Sequence, residues 1–436
     1  FSEERKLYSY ISRLNYVYDN KYIFNASYRR DSANFFTKKY RHGNFFAFST
    51  GWLMSEEDFM ENSSFDKLKF RVSYGELGNS QIPQLNIVRF NQGFPYPFGP
   101  GQNIQQGGTI TATIQEDLSW ETTCEYNFGF EFSLLNYKLN GEIDLYKKIN
   151  KNAILPIELP DTFGFDSFLS HIGEISNRGV KLSINWNDKL NDNFIYSIES
   201  NIAYNKNELS KISNQFFANQ IGGGINNGQY TKKVSLGQPL GSFFLYEVAG
   251  IDDKGQFVYK DSNGDQQINE EDRRFFGSFI PSITAASNFK IEFENFDFNL
   301  NVYGSFDNKV YNGKKAQRFG NENIEKYVFN NRWTTARPSN TTPRASNSIP
   351  LSSNYFLESG DFLRINNITI GYTFESTKSK IFKKIRTYAT AKNPLMFKRF
   401  SGFTPELPGS PLGLAGIELD AYPTLSSYFL GVNLLF

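Results

Sequence analysis

The 436-residue chain carries 46 basic and 45 acidic residues, so its formal net charge is +1 and no basic footprint for nucleic acid stands out. Aromatic residues make up 17% of the chain, although the mean hydropathy is only -0.47. A soluble core could hold only part of the 44 Phe and 25 Tyr side chains, because burying each ring covers about 150–250 Å². The composition therefore argues against a nucleic-acid-binding protein and favours a second apolar phase, for which a lipid bilayer is the obvious candidate.

Apolar residues recur two positions apart along most of the chain, which predicts β-strands with one apolar and one polar face. In 296–307, for example, Phe296, Phe298 and Leu300 lie on one face, opposite Asp297 and Asn299. Thirteen such strands are predicted, at residues 7–18, 22–31, 45–53, 66–77, 121–134, 137–149, 178–187, 194–204, 283–293, 296–307, 362–374, 385–393 and 428–436. The sequence contains no run of about eighteen apolar residues, which a transmembrane helix would need. Strands of a membrane barrel carry only the alternating signal.

The connections between these strands alternate in length. Short turns are predicted at 19–21, 135–136, 188–193 and 294–295, and long loops at 81–119, 205–282 and 308–361. The two-residue turn after Phe293 pairs it with Phe296, which keeps both rings on one face. Short periplasmic turns and longer extracellular loops are typical of transmembrane barrels. The sequence therefore predicts an all-β protein, a transmembrane antiparallel β-barrel in the bacterial outer membrane.

The predicted strand number is odd. Single-chain bacterial barrels use an even number, and an unclosed sheet would leave unpaired backbone groups in lipid. We therefore expect residues 1–436 to form the C-terminal portion of a barrel whose first strands are absent. The last strand alternates Tyr428, Leu430, Val432 and Leu434 before the terminal Phe436, which resembles the C-terminal signal of outer-membrane barrels.

One acidic stretch follows the spacing of a calcium-binding loop. Its oxygen ligands would come from Asp261, Asn263, Asp265, Gln267, Asn269 and Asp272. Gln266 stands where an EF-hand has Gly for the sharp turn, and the twelfth residue is a shorter Asp. The alternative is a solvated acidic turn without metal. We expect Ca²⁺, if bound, to brace an extracellular loop, and we expect no required cofactor.

The residues for nucleophilic hydrolysis are sparse. Such chemistry usually needs a His to activate a Ser, and the two histidines, His42 and His171, fall in predicted loops without a nucleophile-elbow sequence nearby. Glycoside hydrolysis needs two carboxylates at a separation that spacing across strands cannot establish. We therefore predict that the protein is not an enzyme. The single cysteine, Cys124, lies on an apolar strand face and is predicted to be a buried small apolar side chain.

The polar face of the predicted strands carries charges of both signs. They are Glu125, Glu131, Lys138, Glu142, Asp144, Lys181 and Glu199. Inside a barrel they would give a lumen of mixed sign, which suits polar neutral or zwitterionic cargo better than cargo selected by charge.

An ordered series of motifs along nearly the whole chain resembles the SusC/RagA-type TonB-dependent transporters of Bacteroidetes. The motifs are Gly51-Trp52 with Ser55-Glu56-Glu57, the stretch 68–75, Trp120-Glu121-Thr122-Thr123, Asn177-Arg178-Gly179-Val180, the acidic loop with Gly277 and Ile280-Pro281, the stretch 360–372, Lys392-Asn393-Pro394, 402–406 and Tyr422-Pro423. Each is weak by itself, and their order carries the resemblance.

The resemblance implies a barrel of about 22 strands with an N-terminal plug. It implies energy from TonB, which would act through the missing N-terminal part, and a SusD-like surface lipoprotein as partner. We expect an importer of oligosaccharides or oligopeptides, of which this chain lacks the plug and the first strands. The alternative is a barrel that serves as a docking or anchoring platform in a surface or secretion assembly.

Overall fold

The computed structural model describes residues 4–80, 89–112, 117–158, 167–213, 217–225, 227–318, 323–346, 348–375 and 382–436. β-Strands dominate these ranges: β1 Leu7–Tyr18, β2 Tyr22–Ala33, β3 His42–Leu53, β4 Phe65–Asn79, β5 Arg89–Phe98, β6 Asn103–Ala112, β7 Glu121–Leu134, β8 Leu139–Glu158, β9 Ser167–Asn191, β10 Phe194–Ile212, β11 Ile221–Gly222, β12 Lys232–Lys233, β13 Ser242–Leu245, β14 Val248–Ile251, β15 Phe257–Tyr259, β16 Arg274–Ser278, β17 Ile283–Phe293, β18 Phe296–Phe306, β19 Lys309–Asn312, β20 Leu357–Ser359, β21 Phe362–Glu375, β22 Lys384–Lys398, β23 Ile417–Glu418 and β24 Ser427–Leu435.

The helices are short. They are α1 Gly313–Gln317 and α2 Lys326–Asn331, with 3-10 turns at Lys38–Tyr40, Met54–Glu56, Asp58–Met60, Glu270–Asp272 and Asn354–Phe356. No helix within the described ranges is long and apolar enough to cross a membrane.

Thirteen strands form one antiparallel sheet, in the order β1-β2-β3-β4-β7-β8-β9-β10-β17-β18-β21-β22-β24. Each corresponds to one of the thirteen predicted strands, so the predicted all-β class and the strand count are confirmed. Phe293 pairs with Phe296 across the two-residue turn, as predicted. Glu294 in that turn has a φ of 52°, the left-handed conformation that tight hairpins need because it matches the twist of the strands.

Two predicted turns were placed wrongly. β7 ends at Leu134 and β8 begins at Leu139, so this turn spans residues 135–138 instead of two residues. Tyr137 lies within it, with a φ of 61°, and is not paired opposite Leu134. Three successive residues with positive φ widen the turn. At the next turn β9 continues to Asn191 and β10 begins at Phe194, which leaves 192–193 as the connection instead of 188–193.

Several strands extend beyond their predicted ends. β8, β9 and β10 continue into ranges predicted as loops, and the loop predicted at 81–119 contains the hairpin β5–β6. The loops predicted at 205–282 and 308–361 carry small sheets, β11-β12-β13-β16, β14-β15 and β20-β19-β23. The last of these also includes β23, from a later segment. Strands of two to five residues are too short for alternation to reveal them.

The chain divides into two compact units. The first comprises Phe1–Phe132, Ile143–Gly179 and Glu208–Gln220, and the second comprises Ser133–Glu142, Val180–Asn207 and Ile221–Phe436. In the first unit the apolar strand face is exposed, with Tyr10, Leu14, Phe24 and Phe48 among its large side chains. A monomer in water rarely exposes so large an apolar patch. Both units also contain a conventional core, around Phe36 and Trp120 in the first and around Phe243 and Tyr311 in the second.

Candidate functional site on the polar face

The polar face of the first unit carries a cluster of paired charges. Alternate residues of β4 place Lys67, Lys69 and Arg71 on this face, because side chains two apart point the same way. The Glu131 carboxylate lies 3.0 Å from the Lys67 Nζ, 3.2 Å from the Lys69 Nζ and 3.4 Å from the Arg71 Nη1. Arg71 also donates to Asp144 at 2.7 Å. Glu131 and Asp144 were predicted to face the lumen, and the structure gives both of them cationic partners.

Arg71 reaches Asp144 by crossing a glycine. A Cβ on Gly129 would come within 2.6 Å of the Arg71 Cγ, so only glycine leaves room for the guanidinium stem. The side chain therefore lies flat on the sheet instead of extending into the open space above it.

The same arrangement recurs in the second unit. Arg386 of β22 donates to the Asp297 carboxylate of β18 through Nε at 2.7 Å and Nη2 at 2.5 Å. Between them lies Gly371 of β21, where a Cβ would come within 2.6 Å of an Asp297 oxygen. A bidentate Arg–carboxylate pair is strong and directional. Each unit thus has an arginine that spans a central strand over a glycine, which we call the Arg-over-Gly strap.

Amide and hydroxyl groups line the same face of the second unit. Asn299 Nδ2 donates to Asn288 Oδ1 at 3.0 Å, and the hydroxyls of Thr369 and Thr390 lie 2.9 Å apart. Asn366 Nδ2 donates to Asn301 Oδ1, also at 3.0 Å. These groups satisfy one another along the sheet, so they add uncharged polar groups to a face whose charges are paired.

A recess of about 530 Å³ opens on the polar face of the first unit, a size suited to a small polar ligand. Its lining includes Arg13, Asn25, Ser49, Glu125 and Lys148. Asn25 Nδ2 donates to Ser49 Oγ at 3.2 Å. Glu125, one of the predicted lumen residues, lines this recess together with Arg13 and Lys148.

The remaining predicted lumen charges lie in the second unit. Lys138 pairs with Asp188 at 2.7 Å, and Glu199 lies 3.8 Å from the Lys290 Nζ. Glu142 and Lys181 also take part in polar or electrostatic contacts. The predicted mixture of signs is therefore present mainly as pairs. Most of the cationic partners were not predicted from the sequence. The alternation of Lys67, Lys69 and Arg71 could have indicated a row of cations on one strand face, opposite Glu131.

The acidic loop folds as a series of tight turns. Asp261 accepts the backbone N–H groups of Gly264 at 2.6 Å and Gln266 at 2.7 Å. Asn263 Oδ1 accepts the N–H of Asp265, and Asp265 Oδ1 accepts that of Gln267. Gln266 has a φ of 63°, so it adopts the left-handed turn for which an EF-hand uses glycine.

The last two predicted ligands serve the loop itself. The two oxygens of Asp272 accept the N–H groups of Ser262 at 2.7 Å and Asn269 at 2.8 Å, while Asn269 Oδ1 accepts that of Glu271. The amide groups of Asn269 and Ser262 hold the pKa of Asp272 below its usual range. Within the described ranges, no three His, Cys, Asp or Glu side chains are grouped as a metal site would require. The calcium site stays a prediction.

Both histidines lie beside a serine, which the sequence did not indicate. His42 begins β3, with its Nδ1 2.6 Å from Ser32 Oγ, and His171 lies within β9, so their placement in loops was wrong. His171 Nε2 accepts the Ser119 N–H at 3.0 Å and lies 3.2 Å from its Oγ. The other ring nitrogen, Nδ1, lies 2.8 Å from the Asn152 carbonyl oxygen. Because the Ser119 backbone N–H already occupies Nε2, His171 is poorly placed to activate the hydroxyl.

Two reactive side chains, those of Cys124 and Lys232, are buried. Cys124 is free and buried, as predicted. Lys232, which the sequence did not single out, is fully buried in the second unit, and burial lowers its pKa to about 7. Its Nζ donates to the carbonyl oxygens of Pro411 and Gly413 at 3.0 Å each and of Ala415 at 2.5 Å. These three hydrogen bonds hold the segment before β23 against β12, the strand that contains Lys232.

The chain is similar in sequence to known outer-membrane receptors. Over its full length the chain is 28% identical to the TonB-dependent receptor SusC of Bacteroides thetaiotaomicron and covers 44% of that protein. It is 26% identical to the TonB-dependent receptor P3 of Formosa agariphila and covers 46% of it. No family model matches the sequence. The chain is a relative of the SusC/RagA-type TonB-dependent transporters, as its motifs predicted.

Solved structures agree with this relation at the level of the fold. The RagAB peptide transporter matches 99% of the chain with a TM-score of 0.84 and 22% identity, and 47% of that transporter chain is covered. The RagAB importer in its open-open state gives a TM-score of 0.81. The fold is thus that of a TonB-dependent receptor barrel, and the chain spans slightly less than half the length of these SusC/RagA-type relatives. Its location is the bacterial outer membrane.

Proposed function

We propose that the chain forms the C-terminal part of the barrel of a TonB-dependent nutrient importer. Its two-faced sheet, apolar outside and polar inside, together with the likeness to SusC along the full chain, is the observation that carries the proposal. On this proposal residues 1–436 continue a longer chain that supplies a plug, the first strands and the segment that contacts TonB. A SusD-like surface lipoprotein is the proposed partner on the extracellular side, and the named relatives are receptors and transporters instead of enzymes.

We further propose oligosaccharides or oligopeptides of low net charge as the cargo. The polar face supports this because most of its charges are paired, as in the Glu131 cluster and the Asp297–Arg386 strap. The second unit adds neutral Asn and Thr groups to its polar face. A wall of this kind offers hydrogen bonds to hydroxyl and amide groups without selecting one sign of charge.

The test is deletion of the gene that encodes the full-length protein. The deletion strain and a complemented strain are grown on single neutral glycans, anionic glycans and peptide mixtures, and uptake of a fluorescent version of each supporting substrate is measured. We expect loss of growth and uptake on at least one neutral substrate, restored by the complementing gene. A protonophore should abolish the restored uptake, because import through TonB consumes the proton-motive force of the inner membrane.

Two results would contradict the proposal. Unchanged growth and uptake on every substrate, combined with loss of a surface assembly from the deletion strain, would favour the docking platform. Uptake that depends on the gene but continues with the protonophore would indicate a passive pore. If the deletion strain lost only the uptake of anionic substrates, the import proposal would stand, but the proposal of low-charge cargo would be wrong.

A further inference from the structure

Residues 343–346 and 348–351 form an arch over the hairpin of β14 and β15. The backbone N–H of Arg344 donates to the Gly255 carbonyl at 2.9 Å, and that of Leu351 donates to the Tyr259 hydroxyl oxygen at 3.1 Å. Both ends of the arch are therefore fixed to the hairpin. A pocket of about 160 Å³ is lined by the arch on one side and the hairpin on the other. We call it the arch pocket.

The arch pocket has the size of one six-membered ring, since a cavity of roughly 150 Å³ holds one benzene molecule. The rings of Phe257 and Tyr259, with centroids 6.0 Å apart, line the pocket from the hairpin. Pro343 and Pro350 line it from the arch. These apolar surfaces suit the C–H face of a ring, because contact with them removes that face from water.

Hydroxyl groups also line the arch pocket. The Ser346 and Ser348 hydroxyl oxygens lie 2.6 Å apart, and the Tyr259 hydroxyl accepts the Leu351 N–H. Burial raises the pKa of Tyr259 to about 12, so its hydroxyl keeps a hydrogen to donate, and no acceptor for that hydrogen occurs within the described ranges. An aromatic ligand would cover these groups without bonding to them. A sugar ring carries hydroxyls around its edge and can satisfy them.

The lining of the arch pocket includes one cation and no carboxylate. Arg344 is exposed and takes part in no ion pair within the described part of the chain. Asp252, in the hairpin turn, accepts the N–H groups of Lys254 at 2.9 Å and Gln256 at 2.6 Å. Asp253 and Lys254, of opposite sign, are exposed in that turn and do not line the pocket. The guanidinium of Arg344 is therefore free to bind a carboxylate through two charge-assisted hydrogen bonds.

We propose that the arch pocket binds one pyranose ring that carries a carboxylate, as in a glycan that contains uronic acid. The ring lies against Phe257 and Tyr259, its hydroxyls bond to Tyr259 and the two serines of the arch, and Arg344 holds the carboxylate. The pocket lies at the small sheet β14–β15, outside the thirteen-stranded sheet. The site is therefore separate from the wall proposed to pass low-charge cargo, and binding at it does not require import.

The experiment uses the full-length protein in detergent micelles. Saturation-transfer difference NMR gives dissociation constants for the methyl glycosides of glucuronic and galacturonic acid, and for those of glucose and galactose, which lack the carboxylate. N-acetylphenylalanine, a carboxylate beside an aromatic ring, stands for the end of a peptide. The test variant is Arg344→Gln, and the matched control Lys326→Gln removes an exposed cation that does not line the pocket. The double variant Ser346→Ala with Ser348→Ala removes two hydroxyls and leaves the hairpin unchanged.

We expect the native protein and the control to bind at least one uronide about tenfold more tightly than its neutral counterpart. Arg344→Gln should abolish this preference and leave the affinity for the neutral glycoside unchanged. The double serine variant should weaken both glycosides about threefold and keep the preference.

Three results would overturn the proposal: no preference for a uronide, a preference that survives Arg344→Gln, or unchanged affinities in the double serine variant. If N-acetylphenylalanine binds more tightly than either uronide, the pocket takes a peptide end and the sugar assignment is wrong. A protein that imports neutral cargo but shows no uronide preference would refute this inference alone and leave the proposed function intact.

Discussion

The second unit contains two regions that use the same residue types in opposite ways. In the sheet Phe293 is 47% exposed and Phe296 is 52% exposed. The segments between the long strands that carry the small sheets, which we call the external region, bury Phe243 and Tyr311 fully. An exposed ring in the sheet is no defect, because the outer-membrane location gives it lipid to contact. The external region must bury its rings, because water surrounds it.

This difference shows which rule shapes each region. In the sheet, apolar and polar residues alternate along each strand. The apolar residues therefore lie together on the outward face, whether they are exposed or buried. The external region follows ordinary packing, with Phe243, Leu245, Tyr311 and Phe356 in one cluster. Changes that fill or empty space should therefore matter most in the external region, and changes of polarity should matter most on the outward face.

The largest effect is expected from truncating a ring in the packed cluster. Phe243→Ala should destabilise the external region by about 3–5 kcal/mol, through lost burial and the cavity left behind. The matched change Phe296→Ala on the outward face should cost roughly 1 kcal/mol or less, because lipid chains can fill the gap. For each variant, the temperature at which trypsin begins to cleave residues 221–282 is measured and compared with that of the native protein. Equal effects would show that the two regions are packed alike.

A charge on the outward face should give the next largest effect. Leu300 pairs with Phe289 and Ile368 on that face, and Leu300→Lys should cost about 2–4 kcal/mol if it lies near the middle of the bilayer. The neighbouring change Asn299→Lys points inward and should cost only about 1 kcal/mol, from the lost bond to Asn288. The fraction of heat-resistant folded barrel on a gel distinguishes them. A greater loss with Asn299→Lys would reverse the assigned faces.

The Arg-over-Gly strap offers a smaller test within the sheet. Gly371→Ala should separate Arg386 from Asp297 and cost about 1–3 kcal/mol, because the new methyl group has no space. Gly75→Ala is the control, since the atom nearest to its Cβ would be 3.7 Å away. Thermal unfolding in detergent should show a lower midpoint for the first variant alone. If both glycines tolerate alanine equally, the strap does not need a glycine.

The strands could be predicted because their signal is local. Whether Phe298 faces lipid depends on its neighbours two positions away, so the alternation alone placed all thirteen strands. The turn after Leu134 was predicted less well, because three residues with positive φ leave no mark in a pattern of polar and apolar residues. The short strands of the external region were missed for the related reason that two to five residues contain too little alternation.

The polar face was predictable only in part. Glu131 and Asp144 were recognised as inward charges from their parity, but the partners of charged side chains depend on pairings between distant strands. Asp297 and Arg386 are 89 residues apart, and Gly371 between them gave no sign of a crossing side chain. Lys232 binds carbonyl groups about 180 positions later in the chain. Because every residue has a carbonyl group, the sequence does not indicate which of them a lysine binds.

The smallest expected effect lies in the acidic loop of the external region. Gln266→Gly should stabilise the loop by about 0.5–1 kcal/mol, because glycine adopts a φ of 63° without strain. The same variant should bind Ca²⁺ at least as tightly as the native protein, and Asp265→Asn should bind it more weakly. Protection of residues 261–272 from proteolysis, with Ca²⁺ and with EDTA, measures both effects.

The control for the acidic loop is Asp253→Asn, which removes an exposed carboxylate outside it. Protection that does not change on adding Ca²⁺ would mean that the stretch is a solvated acidic turn. A lower stability of Gln266→Gly would show that the amide side chain contributes more than the strained backbone costs.

The central claim is that one face of the sheet contacts lipid and the other does not. Photoreactive benzoyl-phenylalanine at position 300 or at position 299 of the full-length protein tests it most directly, with ultraviolet irradiation in native outer membranes. Mass spectrometry then identifies what each position has captured. We expect lipid adducts at position 300 and none at position 299. Lipid captured at position 299, or none at position 300, would contradict the account.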